Sequence, residues 1–165
     1  MRSIDSITEE LANDLRAAIT QHKVDFTEGI LPETTASRYA SVNALLYGTP
    51  LLSHDNNGII NFINYGAAKI FGRTVEQMLG TLTVELAPNV DNIREERAMA
   101  LDESLREWRP LMLANERRLQ QQADGTKRQI LIDAFLFPYE HQGFKSHAAS
   151  IRFKGYYQPK VAKHP

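Results

Sequence analysis

PLLSHDNNGIINFINYGAAKIFGRTVEQMLG, residues 50 to 80, decides the fold, because two short strands and two capped helices follow one another in it with little loop between them. Leu51-Leu52-Ser53 reads as a strand, Asp55-Asn56-Asn57-Gly58 as its turn, and residues 59 to 64 as a second strand with Ile60, Phe62 and Asn64 on one face. Asn64 is placed to cap a helix whose Ala67, Ile70 and Phe71 share a side, and Gly72 supplies the left-handed residue that ends it. Thr74-Val75-Glu76-Gln77 repeats the signal. A Thr cap with Gln at the third helical position makes a reciprocal capping box, and Gly80 closes that helix.

The run Asn64-Tyr65-Gly66-Ala67-Ala68-Lys69-Ile70-Phe71-Gly72-Arg73-Thr74-Val75-Glu76-Gln77-Met78-Leu79-Gly80 resembles the opening motif of PAS domains, N-x-A-A-x-x-L-F-G-Y-[ST]-x-E-E-L-x-G. Four details resemble a narrower group, the PAS-like MEKHLA domain of plant transcription factors and stand-alone bacterial proteins: LLSHD at 51 to 55, NYGAAKIF at 64 to 71, REERA at 94 to 98 and HAA at 147 to 149. The likeness spans residues 37 to 153. It implies an α+β fold, a PAS-like antiparallel sheet of about five strands with helices on one face. It also implies a sensory domain that binds an unidentified small molecule and relays its state by contact with a separate signalling protein. The expected organisation is an N-terminal helical extension over 1 to 48, the PAS-like domain over 49 to 157 and a loose tail over 158 to 165.

Bulk properties agree with a globular chain of one ordinary domain: 165 residues, 42% hydrophobic and 24% charged. A net charge of -1 gives no basic surface for nucleic acid, and Arg117-Arg118 and the Lys160/Lys163 tail are too sparse to make one. Cysteine is absent, which excludes disulfides, thiolate metal sites and thiol nucleophiles. No apolar run approaches the length of a signal or membrane span, so a cytoplasmic protein without membrane contact is expected.

Upstream, Ser6-Ile7-Thr8-Glu9 reads as a capping box opening an amphipathic helix with Ile7, Leu11, Leu15, Ala18 and Ile19 on one face. A second helical stretch runs to about Tyr47, with Tyr39, Val42, Leu45 and Leu46 as its apolar side. These helices suit either the domain's own sheet or a homodimer contact. Downstream, Asp91 or Asn92 caps a long helix to about Trp108, with Ile93, Ala98, Leu101, Leu105 and Trp108 at helical spacing. Its acids Glu95, Glu96, Asp102 and Glu103 with Arg94, Arg97 and Arg106 read as a solvated face. By resemblance this helix walls the ligand cavity. Haem-binding PAS members place a histidine on it and flavin photoreceptors use a cysteine; residues 91 to 108 hold no histidine and the chain no cysteine, so neither haem nor covalent flavin is expected.

The C-terminal part supplies the sheet: strands over 111 to 122, 127 to 137 and 144 to 153. A two-residue Asp124-Gly125 turn would set Leu119 opposite Ile130, Arg117 opposite Ile132, Asn115 opposite Ala134 and Leu113 opposite Leu136, all on one side. The other side, with Leu131, Phe135 and Phe137, would take the N-terminal helices. That register puts Asn115 and Arg117 on the apolar side, where Arg117 either snorkels to solvent or anchors an anionic or hydroxylated ligand. Tyr65, Phe71, Met78, Leu101, Trp108 and Met112 are candidate walls of such a cavity, each equally at home in a plain core, and His54 and Asn64 are candidate polar contacts.

Enzymes are disfavoured. In Ser53-His54-Asp55 adjacent strand residues point to opposite faces and cannot form one proton-transfer line. The histidines at 22, 54, 141, 147 and 164 lack metal-ligand spacing, and no glycine-rich phosphate loop occurs. A ligand-free interaction module would follow if Trp108, Phe71 and Met78 filled the cavity, and a small enzyme only if a convergent acid-base pair appeared in it.

Overall fold

The computed structural model describes residues 7–26, 45–88 and 93–158. Its elements in chain order are helix α1 (Glu9–Gln21), strands β1 (Leu51–His54) and β2 (Ile60–Ile63), helices α2 (Tyr65–Ile70) and α3 (Val75–Met78), a 3-10 turn (Thr83–Leu86), helix α4 (Ile93–Glu107), and strands β3 (Leu111–Gln121), β4 (Lys127–His141) and β5 (Phe144–Tyr156). The strands form one sheet in the order β2-β1-β5-β4-β3, with every neighbour pair antiparallel. Much of the second N-terminal helical stretch, including Tyr39 and Val42, the proposed caps Asp91 and Asn92, and the tail from residue 159 lie outside the described residues.

The residue 50 to 80 block forms as its motifs demand. Asp55 Oδ1 accepts from the backbone N–H groups of Asn57 and Ile59, which shapes the β1–β2 turn. Thr74 and Gln77 make the reciprocal capping box of α3. Gly72 ends α2 at φ +70°, and a Cβ there would lie 2.0 Å from the Gln121 carbonyl oxygen, so the turn docks on the end of β3 only because the residue is glycine. One expectation fails within the block. Ser53 pairs with Phe62 and His54 with Ile60, which leaves Asn61 as an extra residue. This bulge puts Phe62 on the opposite face from Ile60 and Ile63.

The β3–β4 register also departs from expectation. Gly125, at φ +88°, donates to the Gln122 carbonyl and Gln122 N–H donates to the Thr126 carbonyl, so the loop has three residues rather than two. Arg117 therefore faces Leu131, Arg118 faces Ile130 and Glu116 faces Ile132. A one-residue slip exchanges the faces. A second irregularity between Leu113 and Glu116 leaves Asn115 at φ +54°, and Leu113 then faces Ala134. Strand β4 also runs through Pro138 to His141; past Leu136 it has β5 as its strand partner, so the missing proline N–H costs no ladder bond toward β3.

Two cores result. The inner face packs Leu52, Ile60, Phe71, Met78, Ile130, Ile132 and their neighbours under α2, α3 and the 3-10 turn. The outer face buries Leu11, Ala12, Leu15 and Ala18 of α1 with Leu45, Leu46, Phe62, Phe137 and Tyr139, and Phe135 packs against this cluster. The apolar face of α1 is thus covered by its own sheet, as one of the two expected arrangements. Its N-cap is Thr8, which accepts from Leu11 N–H, rather than Ser6, which lies outside the described residues.

Candidate functional site

Between the inner face and α4 lies a cavity of about 220 Å³, below the roughly 300–1,000 Å³ usual for ligand sites and suited to a small molecule. Its floor is the sheet, with Leu52, Ile132, Ala134, Leu136, Ala149 and Ile151; Phe71, the 3-10 turn and Leu101 of α4 form the walls. The register described above decides which polar groups reach it. Arg118, His54 and His147 point to the cavity side from β3, β1 and β5, and Arg97 joins them from α4.

Glu116, on the same face of β3, is the acid of this set. Arg97 grips it in a fork, Nε and Nη2 donating to Oε1 and Oε2 at 2.6 Å each. Donating to the Glu116 carboxylate raises the Arg97 pKa. Arg118 Nη1 donates to the Arg117 carbonyl at 2.8 Å and stands 3.6 Å from Glu116 Oε1, too far for a good hydrogen bond. Burial lowers the Arg118 pKa, yet a guanidinium stays charged across the working pH range.

His54 Nδ1 lies 2.8 Å from the Asp55 carbonyl, an acceptor only, so Nδ1 carries the proton and Nε2 is left as an acceptor. Ser146 Oγ is 2.9 Å from the same nitrogen and donates to the same carbonyl at 3.0 Å, which ties up its hydroxyl proton. In α4, Ser104 Oγ donates to the Arg109 carbonyl at 2.5 Å and accepts from His147 Nε2 at 2.9 Å. Burial pushes both imidazoles below the usual histidine range, His147 to about 4 with the nearby His54 adding to the effect. Both rings are therefore neutral near pH 7.

Of the residues expected at the site, the structure brings His54, Phe71 and Leu101 to the cavity. The others fall elsewhere, each for a physical reason. Asn64 is a buried rivet: Oδ1 accepts from Leu51 and Ala67 N–H, and Nδ2 donates to the Leu45 and Thr49 carbonyls, so no hydrogen-bonding capacity remains for a ligand. Tyr65 is 44% exposed and stacks on Tyr47. Met78 is fully buried in the inner core, and Met112, opposite Phe135, is exposed. Trp108 follows α4 in a left-handed conformation, φ +55°, and turns toward Gln21 and His22 of the outer layer. Asn115 sits in the β3 bulge and gives its backbone N–H to Asp133. Arg117, on the outer side of the slipped register, bonds Gln129 and stacks on Tyr157 at 4.1 Å.

Glu116, Arg118, Arg97 and His147 went unread as site residues. A three-residue loop with glycine last, the other common reading of Ala123-Asp124-Gly125, would have turned Glu116 and Arg118 inward. The clasped Arg97 corrects the reading of that α4 surface as uniformly solvated. On the outer side, Glu10 and Asp14 of α1 bring their carboxylates within 4.8 Å of each other and of His141, whose Nδ1 meets Asp14 Oδ2 at 2.7 Å. The His141–Asp14 contact clamps α1 to the β4–β5 hairpin.

The fold as a whole matches solved structures. The PAS domain of nitrogen regulation protein NR(II) from Vibrio parahaemolyticus superposes with a TM-score of 0.54 at 17% identity, covering 73% of this chain and 100% of that one. Drosophila melanogaster Cycle PAS-B with bound ethylene glycol superposes with a TM-score of 0.50 at 16% identity, covering 64% and 99%. The chain has a PAS fold. No family model matches it, and no curated protein does. Within this PAS fold, among the described residues, no helix is long and apolar enough to cross a membrane.

Proposed function

We propose that the protein is a sensory PAS domain of the MEKHLA type that binds a small molecule in the inner cavity and passes its state to a separate signalling protein through α4. The cavity carries this reading: it is apolar over most of its wall, lies between sheet and helix, and is edged by a few convergent polar groups. The arrangement that would have favoured a ligand-free module, a cavity filled by Trp108, Phe71 and Met78, is not the one adopted, since Trp108 lies outside and the space stays open. Helix α4 suits a relay because polar contacts hold it to the sheet, the Arg97–Glu116 fork and the Ser104–His147 hydrogen bond, and occupancy beneath it bears on both.

No catalytic role is proposed. The Ser146 and Ser104 hydroxyls give their protons to carbonyls, and Ser53 donates to Asn61 at 2.6 Å. The test is native mass spectrometry of the purified protein against its denatured mass. A retained small molecule that leaves on denaturation supports the reading. A bare protein whose cavity-lining alanine methyl resonances ignore small organic probes overturns it.

A further inference from the structure

Arg118 is a charged group whose surroundings do not complete it. Its side chain is 19% exposed, and among the described residues Nη1 alone has protein partners. A guanidinium offers five donors, so among the described residues Nε and Nη2 have no protein acceptor. The nearest acid is already committed, because both Glu116 oxygens belong to Arg97. Glu96, exposed on α4, acts on Arg97 only through space. His54 and His147 carry no charge that would balance or add to it near pH 7. Among the described residues, two guanidiniums against one carboxylate leave the site with one excess positive charge beside apolar walls. Arg118 shares its one carboxylate, at 3.6 Å, with a second guanidinium that grips it more closely, and an anion in the cavity would complete its pairing.

From this we infer that the cavity takes a small organic monoanion whose carboxylate is held by the open side of the Arg118 guanidinium while its apolar part lies along Ala134, Ala149 and Leu101. The inference rests on the reading of the cavity as a ligand site. One excess positive charge favours a carboxylate over a phosphate dianion, and the planar guanidinium matches a carboxylate's two oxygens. The volume limits the apolar part to a short chain or one ring. The bound carboxylate would also sit beside the Arg97–Glu116 fork and compete with Glu116, so the anion acts on the contact that holds α4.

The experiment compares hexanoate with 1-hexanol, equal in chain length and differing in the head group, by following the methyl resonances of Ala134 and Ala149 and by calorimetry. Wild type should bind hexanoate roughly tenfold or more tightly than hexanol, the scale of one charge-assisted hydrogen bond. Arg118→Met should abolish that preference while hexanol still binds, and Arg117→Met, on the opposite face, should keep it. Arg118→Gln serves the same purpose if the methionine variant does not fold. Equal affinities in wild type, or a preference that survives loss of the Arg118 charge, overturn the anion inference and leave the cavity reading standing. Failure of both probes to perturb either methyl overturns the two together.

Discussion

The outer and inner faces of the sheet are closed by helices of opposite character. Helix α1 presents Leu11, Ala12, Leu15 and Ala18, all buried, to Phe137 and Tyr139. Helix α4 exposes Met99 at 75%, leaves a cavity beneath itself and reaches the sheet through an arginine fork and a serine hydroxyl. Apolar packing is non-directional and tolerates little movement in a filled core, whereas polar contacts can be exchanged for others of similar strength. Helix α1 is accordingly fixed by packing, whereas the inner face, beside its own core under α2 and α3, holds a helix whose attachment can be altered by what lies under it.

The largest expected effect comes from the seam between the faces. Asn64→Ala removes the α2 cap, strands the buried Leu51 N–H and withdraws the amide that donates to the Leu45 and Thr49 carbonyls, so it should cost on the order of 4 kcal/mol, read from the urea midpoint. A loss below 1 kcal/mol would mean that water replaces the rivet and that Asn64 is available to a ligand after all. Next, Leu15→Ala on the outer face should cost roughly 3 kcal/mol, whereas Leu101→Ala, half-buried beside an existing void, should cost less than about 1.5 kcal/mol. Similar losses for the two would erase the distinction between the faces.

Acid should loosen the inner face. His147 is held near pKa 4 against 6.5 in the unfolded chain, so the unfolded state binds a proton that the folded state refuses between those values. Its stabilising contribution is present above about pH 6.5, is lost as pH falls toward 4 and is level below, by up to about 3 kcal/mol; lowered His54 adds in the same direction. His147→Gln should flatten that part of the stability curve. An unchanged slope in the variant would remove His147 from the account.

How far the sequence could be read follows from the same contrast. Local signals act within a few residues, so the Asn64 cap, the Thr74/Gln77 box, the Gly72 stop and the apolar stripe of α1 were all legible. The five-stranded α+β architecture was implied by the resemblance to PAS domains that the residue 64 to 80 motif carries. The site depended instead on register, and register turned on whether Ala123-Asp124-Gly125 closes over two residues or three. That one residue exchanged Arg117 for Arg118 and brought Glu116 inward. The bulges at Asn61 and Asn115 have no comparable local signature, and Trp108 left the cavity through a left-handed residue that helical periodicity does not foresee. His54, Phe71 and Leu101 survived because the first follows the β1 alternation and the others lie on helix faces fixed by their own spacing.

The smallest effect is the finest probe of the comparison. Adding two methyls at Ala12, fully buried between α1 and the sheet, has no space to fill and should cost about 1–3 kcal/mol as Ala12→Val. The same change at Ala134 is directed into open volume from β4, where a β-branched side chain also suits the strand, so Ala134→Val should alter stability by less than about 1 kcal/mol in either direction. Its signature lies elsewhere: the cavity shrinks, and hexanoate should bind more weakly while the melting temperature barely moves. If Ala134→Val instead destabilised the fold as much as Ala12→Val, the inner face would be packed as tightly as the outer one, and the space assigned to a ligand would belong to the core.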